Sequence, residues 1–287
     1  MNLITPVEIA RSPWSITYEH RILMLGSCFS DNIARKMQER YLRVTANPFG
    51  TLYNPISIAH HITDELLADK DIIIITFGTA WVYIDKLIVD SLEQREPCLA
   101  AVVDNCQKRP ATDFIRYRLT IEDIVETWQP ILERYSDKRF IFTVSPIRHK
   151  KDGLHENQIS KAILLQAIDI LTSNSISGPT SNSVSALTSY FPSYEILLDE
   201  LRDYRFYADD LVHPSMMAVE YIWERFMDTY LYDEATRQSM NELHRYWQNT
   251  QHRLLHPDTE ESRKFIAFLA QQKIELQERY PLLKDLF

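Results

Sequence analysis

Asp71-Ile72-Ile73-Ile74-Ile75-Thr76-Phe77-Gly78-Thr79 is the stretch on which the fold turns. Its apolar run is short and rich in β-branched residues, which favours a strand over a helix. A strand apolar throughout its centre is one covered on both faces, as in a parallel sheet with helices above and below. Glycine and a hydroxyl residue end it. Two other segments share this design: residues 21–25 (RILML) close on Gly26-Ser27, and residues 139–144 (RFIFTV) close on Ser145-Pro146-Ile147-Arg148-His149. Residues 42–45 and 189–193 read as two further strands. Between them, residues 29–41 repeat Phe29, Ile33, Met37 and Tyr41 at a helical spacing. Helices are also expected over 57–67, 121–135, 158–171, 194–202 and 214–231, the last with Pro214 suited to a first turn. Strands alternating with helices predict an α/β domain with a mostly parallel sheet. Ligands of such sheets bind at the carboxyl ends of the strands.

Less regular stretches lie between and beyond these elements. Residues 81–90 predict a small hairpin, and 91–119 is a polar excursion. The Ser/Asn/Thr-rich stretch 172–185, with Gly178-Pro179, reads as a flexible loop. Two polar helices, about 233–253 and 259–284, form a C-terminal extension, so the chain divides into residues 1–232 and 233–287.

A chain of 287 residues with 45% hydrophobic and 25% charged residues has the composition of an ordinary globular protein. Its net charge of -9 argues against nonspecific nucleic-acid binding, which needs a basic surface. Cys28, Cys98 and Cys106 lack paired C-x-x-C spacing and suit free thiols in a reducing compartment. No basic-then-apolar leader opens the sequence, and no apolar run reaches the roughly 18 residues of a membrane span. A cytoplasmic protein without membrane attachment is the expectation. Glycine is the most telling count: there are 5, where average usage would give roughly 20. Each is therefore expected where backbone geometry demands it.

Two patterns carry chemistry. Ser27 follows Gly26 at a strand end and precedes a helix, so the amides of Ser27 and Cys28 would face a developing oxyanion. Taken alone, the same residues read as a strand–helix turn with a capping serine. Asp210-Leu211-Val212-His213-Pro214 stands before a later helix. An Asp three residues ahead of a His can bond Nδ1 and leave Nε2 free as a general base. Asp209 competes for that role at a less suitable spacing. Cys28 is an alternative nucleophile, but a residue opening a helix more often reads as core-facing.

The motifs extend these patterns. Gly26-Ser27-Cys28-Phe29-Ser30 resembles the signature of the GSCFA family, a branch of the SGNH-like (GDSL-like) hydrolases, with Ser30 where the signature has alanine. Asn47-Pro48-Phe49-Gly50-Thr51-Leu52-Tyr53-Asn54-Pro55, Phe77-Gly78-Thr79-Ala80-Trp81-Val82-Tyr83, Ser145-Pro146-Ile147-Arg148-His149, Tyr190-Phe191-Pro192-Ser193-Tyr194-Glu195 and Arg205–Ser215 resemble it as well. The resemblance spans roughly residues 20–230. It implies a flavodoxin-like three-layer sandwich around a mostly parallel five-stranded sheet. It also implies a serine hydrolase acting on an ester bond, as esterase or acyltransferase, through an acyl-enzyme.

Ser27 matches the nucleophile, His213 the base and Asp210 its partner. Ser27, Gly50, Gly78 and Thr79 are the expected oxyanion positions. The asparagine that SGNH enzymes carry after Gly-x is replaced by Ala80, and Asn47, Asn54, Thr79 or Arg148 would have to substitute. That replacement motivates the alternative of a noncatalytic binding or scaffold protein. Asn47, Asn54, Trp81, Arg148 and His149 are the substrate-binding candidates, with Tyr53 and Tyr83 as further aromatic surfaces and His155, Asn157 and Lys161 as weaker neighbours. A small acyl group on a carbohydrate is the substrate class suggested by the resemblance. No metal or cofactor is expected: His, Cys, Asp and Glu lack ligand spacing, and no phosphate-binding glycine loop is present.

Overall fold

The computed structural model describes residues 4–92, 98–106, 108–173, 187–254 and 256–287. Five strands form one sheet in the order β2-β1-β3-β6-β7 (Arg43–Ala46, Arg21–Gly26, Ile72–Phe77, Arg139–Val144, Thr188–Phe191). Every pairing in it is parallel. Parallel neighbours require crossovers, and helices supply them on both faces. The order in which successive strands are added reverses between β1 and β3, β2 lying to one side and β6 and β7 to the other. That switch point is where open α/β sheets bind ligands.

The two faces divide each strand's residues by alternation. Leu23, Leu25, Ile73, Ile75, Phe140 and Phe142 face one core with Trp128. Ile22, Met24, Ile72, Ile74 and Ile141 face the other with Phe29, Ile33, Trp223 and Phe226. The first core is covered by α2 (Pro55–His60), α5 (Ile121–Arg134) and α6 (Leu154–Ser173), and by the short α3 (Asp64–Leu67). The second is covered by α1 (Cys28–Gln38) and α8 (Met216–Tyr230). Between β7 and α8 come the short turn α7 (Ser193–Glu195) and a wider π turn over Ile196–Glu200.

Two segments depart from the sequence reading. The expected hairpin over 81–90 does not form. β4 (Trp81–Asp85) runs into α4 (Lys86–Leu92), and its antiparallel partner is β5 (Phe114–Arg118), with Trp81 opposite Arg118. The expected helix over 57–67 is two helices, because Thr63 leaves the helical conformation and caps α3 through the Leu66 amide. The loop over 172–185 lies almost wholly outside the described residues.

The C-terminal helices, α9 (Glu234–Thr250) and α10 (Glu260–Arg279), build a third apolar cluster from Tyr41, Leu243, Tyr246, Leu276 and Leu283. Tyr41 follows the last turn of α1, and its ring stacks on Phe287 at 4.7 Å. Helix α1 begins at the carboxyl end of β1, so this cluster lies toward the opposite end of the sheet. Among the described residues no helix is long and apolar enough to cross a membrane.

Candidate active site

The carboxyl ends of β1, β3 and β6 converge on one rim. A cavity of about 500 Å³ opens there, lined among others by Cys28, Asn54, Trp81, His149 and His213. Its chemistry is clearest on the loop ahead of α8. Asp210 Oδ2 lies 2.5 Å from His213 Nδ1, while Oδ1 accepts the amides of Val212 at 2.8 Å and His213 at 3.0 Å. Those contacts, the His213 amide and ring foremost, hold the Asp210 carboxyl far below the usual carboxylate range. The Nδ1 contact leaves Nε2 as the ring nitrogen available for chemistry.

The loop is built to hold this pair. Leu211 takes a left-handed backbone (φ +55), a conformation that costs a side-chain-bearing residue about 1 kcal/mol or more. The Ala208 amide donates to His213 O, the Leu211 amide to Ala208 O, and the Arg148 amide to Val212 O. The last bond ties the loop to the end of β6.

At the β1–α1 turn two adjacent side chains behave differently. Ser27 is only 1% exposed and is the N-cap of α1. Its Oγ accepts from the Phe29 amide at 3.3 Å and donates to Ser145 Oγ at 2.9 Å. Cys28 is half-buried and lines the cavity. Burial pushes its thiol up in pKa; the Cys28 and Phe29 amides oppose that by favouring the thiolate, while the Asp31 and Asp210 charges add to it. Neither side chain is hydrogen-bonded to His213, a looseness common before substrate binds. Both the capping and the nucleophile readings were open from the sequence. The cap is formed.

The four amide positions expected at the oxyanion are already committed. Ser27 N donates to Thr76 O at 3.4 Å, Gly50 N to Asn47 O, and the amides of Gly78 and Thr79 both to Tyr53 O. Buried amides are satisfied by whatever carbonyl the fold brings near, and here that is main chain. The glycines answer backbone needs instead. A Cβ on Gly26 would sit 2.2 Å from Thr76 O, at φ +141, and one on Gly78 would sit 2.8 Å from Tyr53 O. Gly50 provides a positive-φ turn.

The substrate-binding candidates separate in the same way. Asn47 is structural: its Oδ1 accepts the Gly26 amide and its Nδ2 donates to Asp31. Asn54 lines the cavity, with Oδ1 capping α2 through the Ser57 amide. Trp81 also lines it, beneath the Arg116 guanidinium at 3.9 Å. Arg148 stands between this cavity and a second one of about 460 Å³, packed over Tyr207 and Tyr204. His149 lines the wall. Burial, with Lys161 nearby, pushes its pKa down to about 4, so the ring is neutral near pH 7. Tyr53 and Tyr83 line the cavity too, whereas His155 does not. Asn157 is buried and accepts the His149 amide.

Lys161 is no cleft residue. It is 1% exposed, and its Nζ donates to Gly78 O at 2.6 Å and Ser145 O at 2.7 Å. It therefore pins two strand ends from beneath the rim, a role that nothing in its sequence surroundings signals. Burial lowers its pKa to about 7. Ser30 is likewise structural, donating from the first turn of α1 to Thr76 Oγ1 of β3 at 2.7 Å.

With this geometry in hand, a family comparison matches the GSCFA family over residues 21–68 and 60–226. The chain belongs to the GSCFA family. The match takes in the whole five-stranded sheet, the β1–α1 turn and the Asp210–His213 loop, and stops within α8. Comparison with curated proteins finds no match. Among the described residues no group of three or more His, Cys, Asp or Glu side chains is placed to hold a metal ion.

Proposed function

We propose that this GSCFA protein is an SGNH-type hydrolase or acyltransferase that works on ester bonds through an acyl-enzyme. The observation that carries the reading is the Asp210–His213 pair at 2.5 Å, set on a cavity at the switch point of the sheet. A carboxylate on Nδ1 fixes the tautomer and stabilises the imidazolium that forms when Nε2 takes a proton. The nucleophile comes from the β1–α1 turn, where Ser27 and Cys28 are neighbours. His213 accepts its proton and returns it to the leaving alcohol, and water then releases the acyl group by the reverse sequence. A small acyl group on a carbohydrate is the proposed substrate class. Tyr53, Trp81 and Tyr83 supply aromatic surface of the kind that packs on sugar rings.

The test is hydrolysis of p-nitrophenyl acetate and of an acetylated monosaccharide by wild type, His213→Asn and Asp210→Asn. Loss of the base or of its orienting carboxylate is expected to lower turnover by on the order of 10³–10⁴-fold. Wild-type rates no higher than those of His213→Asn on both substrates would overturn the reading.

A further inference from the structure

We infer that Cys28, rather than Ser27, is the nucleophile of this site, forming a thioester acyl-enzyme. The inference rests on the acyl-transfer reading above and deepens it. A nucleophile must present its attacking atom to the cavity in which the acyl group sits, and Ser27 does not. Its hydroxyl is buried, its proton is given to Ser145, and its oxygen accepts the Phe29 amide. Attack would require breaking the cap and the bond to the β6 end together. Cys28, one residue on, opens α1 and lines the cavity with His213. The second thiol on this cavity, Cys106, has Arg109 and Asp85 for its charged neighbours, whereas that of Cys28 feels Asp210.

The surroundings of Cys28 fit an acyl carbonyl. Its own amide, at the first position of α1, donates to no described carbonyl, as the leading amides of a helix do not. Asn54 is 5% exposed and uses its Oδ1 on the Ser57 amide, while its Nδ2 donates to no described group. These two donors replace the four amides that the fold has consumed. The cavity wall also holds unmet polar capacity: the buried Trp81 Nε1 and His149 Nε2 have no partner among the described residues.

The chemistry balances without any co-reactant beyond ester and water. The Cys28 thiol proton passes to His213 Nε2 as the Sγ–C bond forms and the carbonyl electron pair moves onto oxygen, held by the Cys28 amide and Asn54. The oxyanion collapses, the C–O bond to the leaving group breaks, and that alkoxide takes the proton from His213. Water then attacks the thioester, giving its proton to His213. The C–S bond breaks, the sulfur recovers the proton, and the carboxylic acid departs. Because burial raises the thiol pKa, activation falls to the general base, His213, which takes the proton as attack proceeds.

Two measurements test the assignment. The first compares p-nitrophenyl acetate turnover, with peptide mapping of the acetylated residue, in wild type, Cys28→Ala, Cys28→Ser and Ser27→Ala, each checked for folding by circular dichroism. Cys28→Ala is expected to fall by on the order of 10³-fold or more, while Ser27→Ala keeps the larger share of turnover and acetylates at Cys28. An acetyl group mapped to Ser27, or full turnover by Cys28→Ala, overturns the proposal. The second follows iodoacetamide alkylation of Cys28 against pH in wild type and His213→Asn, with Cys106 as internal reference. Alkylation of Cys28 alone is expected to change its rate and pH profile when His213 is removed. An unchanged profile overturns the proposal even if esters are turned over. A changed profile without turnover of any ester supports the Cys28–His213 pair and places the failure on the ester-hydrolase reading.

Discussion

Lys161 has no described carboxylate partner and two carbonyl acceptors. A neutral amine has two N–H bonds to give, so the site matches the uncharged form. The lowered pKa, about 7 against an ordinary 10.5, has a thermodynamic consequence. Between those values the unfolded chain binds a proton that the folded chain does not, so stability rises with pH across that window. Below about pH 7 the full cost of burying the charge is present; above the ordinary value it is gone. Urea unfolding should therefore show stability climbing from pH 7 to 9.5 by at most about 1.4 kcal/mol per pH unit more in wild type than in Lys161→Met. Parallel curves for the two proteins would refute this. The Asp210–His213 pair was legible at this scale because two residues three positions apart on one loop suffice to make it. Which of Ser27 and Cys28 faces the cavity was not. Neighbours at a helix start point in different directions, and the partner that captures Ser27 is Ser145, more than a hundred positions away.

Among the elements, the three central strands β1, β3 and β6 were readable because each is a short apolar run followed by a small or hydroxyl residue. β5 was hidden. Its sequence, Phe-Ile-Arg-Tyr-Arg, alternates weakly, and its pairing with β4 spans α4 and a long polar excursion. No local turn announces such a pairing. The scarcity of glycine did locate three special backbone sites, although crowding and turns rather than an oxyanion explain them. Gly26→Ala and Gly50→Ala separate those causes. Both positions have positive φ, but only Gly26 lacks room, with Thr76 O in the way. Gly50→Ala should cost about 1 kcal/mol and Gly26→Ala more than about 3, by guanidinium unfolding. Equal losses would count against the steric account.

For the whole molecule, the cavity-bearing rim and the C-terminal helices lie toward opposite ends of the sheet. The sequence suggested a polar extension of uncertain role, because α9 and α10 carry only sparse apolar positions; their seam becomes visible once Tyr41 and Phe287 are brought together. The extension buries Leu243, Tyr246 and Leu276 and covers Tyr41. A chain ending after residue 232 should melt several degrees lower, by about 2–4 °C for each kcal/mol of packing lost, while the molecules that remain folded keep the wild-type KM for p-nitrophenyl acetate. An unchanged melting temperature, or a KM shifted tenfold, would show that the extension serves the site rather than the scaffold.

Lys161 also has a bearing on protein chemistry. An amine sealed beneath the rim, with both of its bonds inside the molecule, is screened from acylating reagents that reach surface lysines such as Lys264. Amine footprinting would therefore use it as a clock: its first modification dates the moment at which the ends of β3 and β6 part.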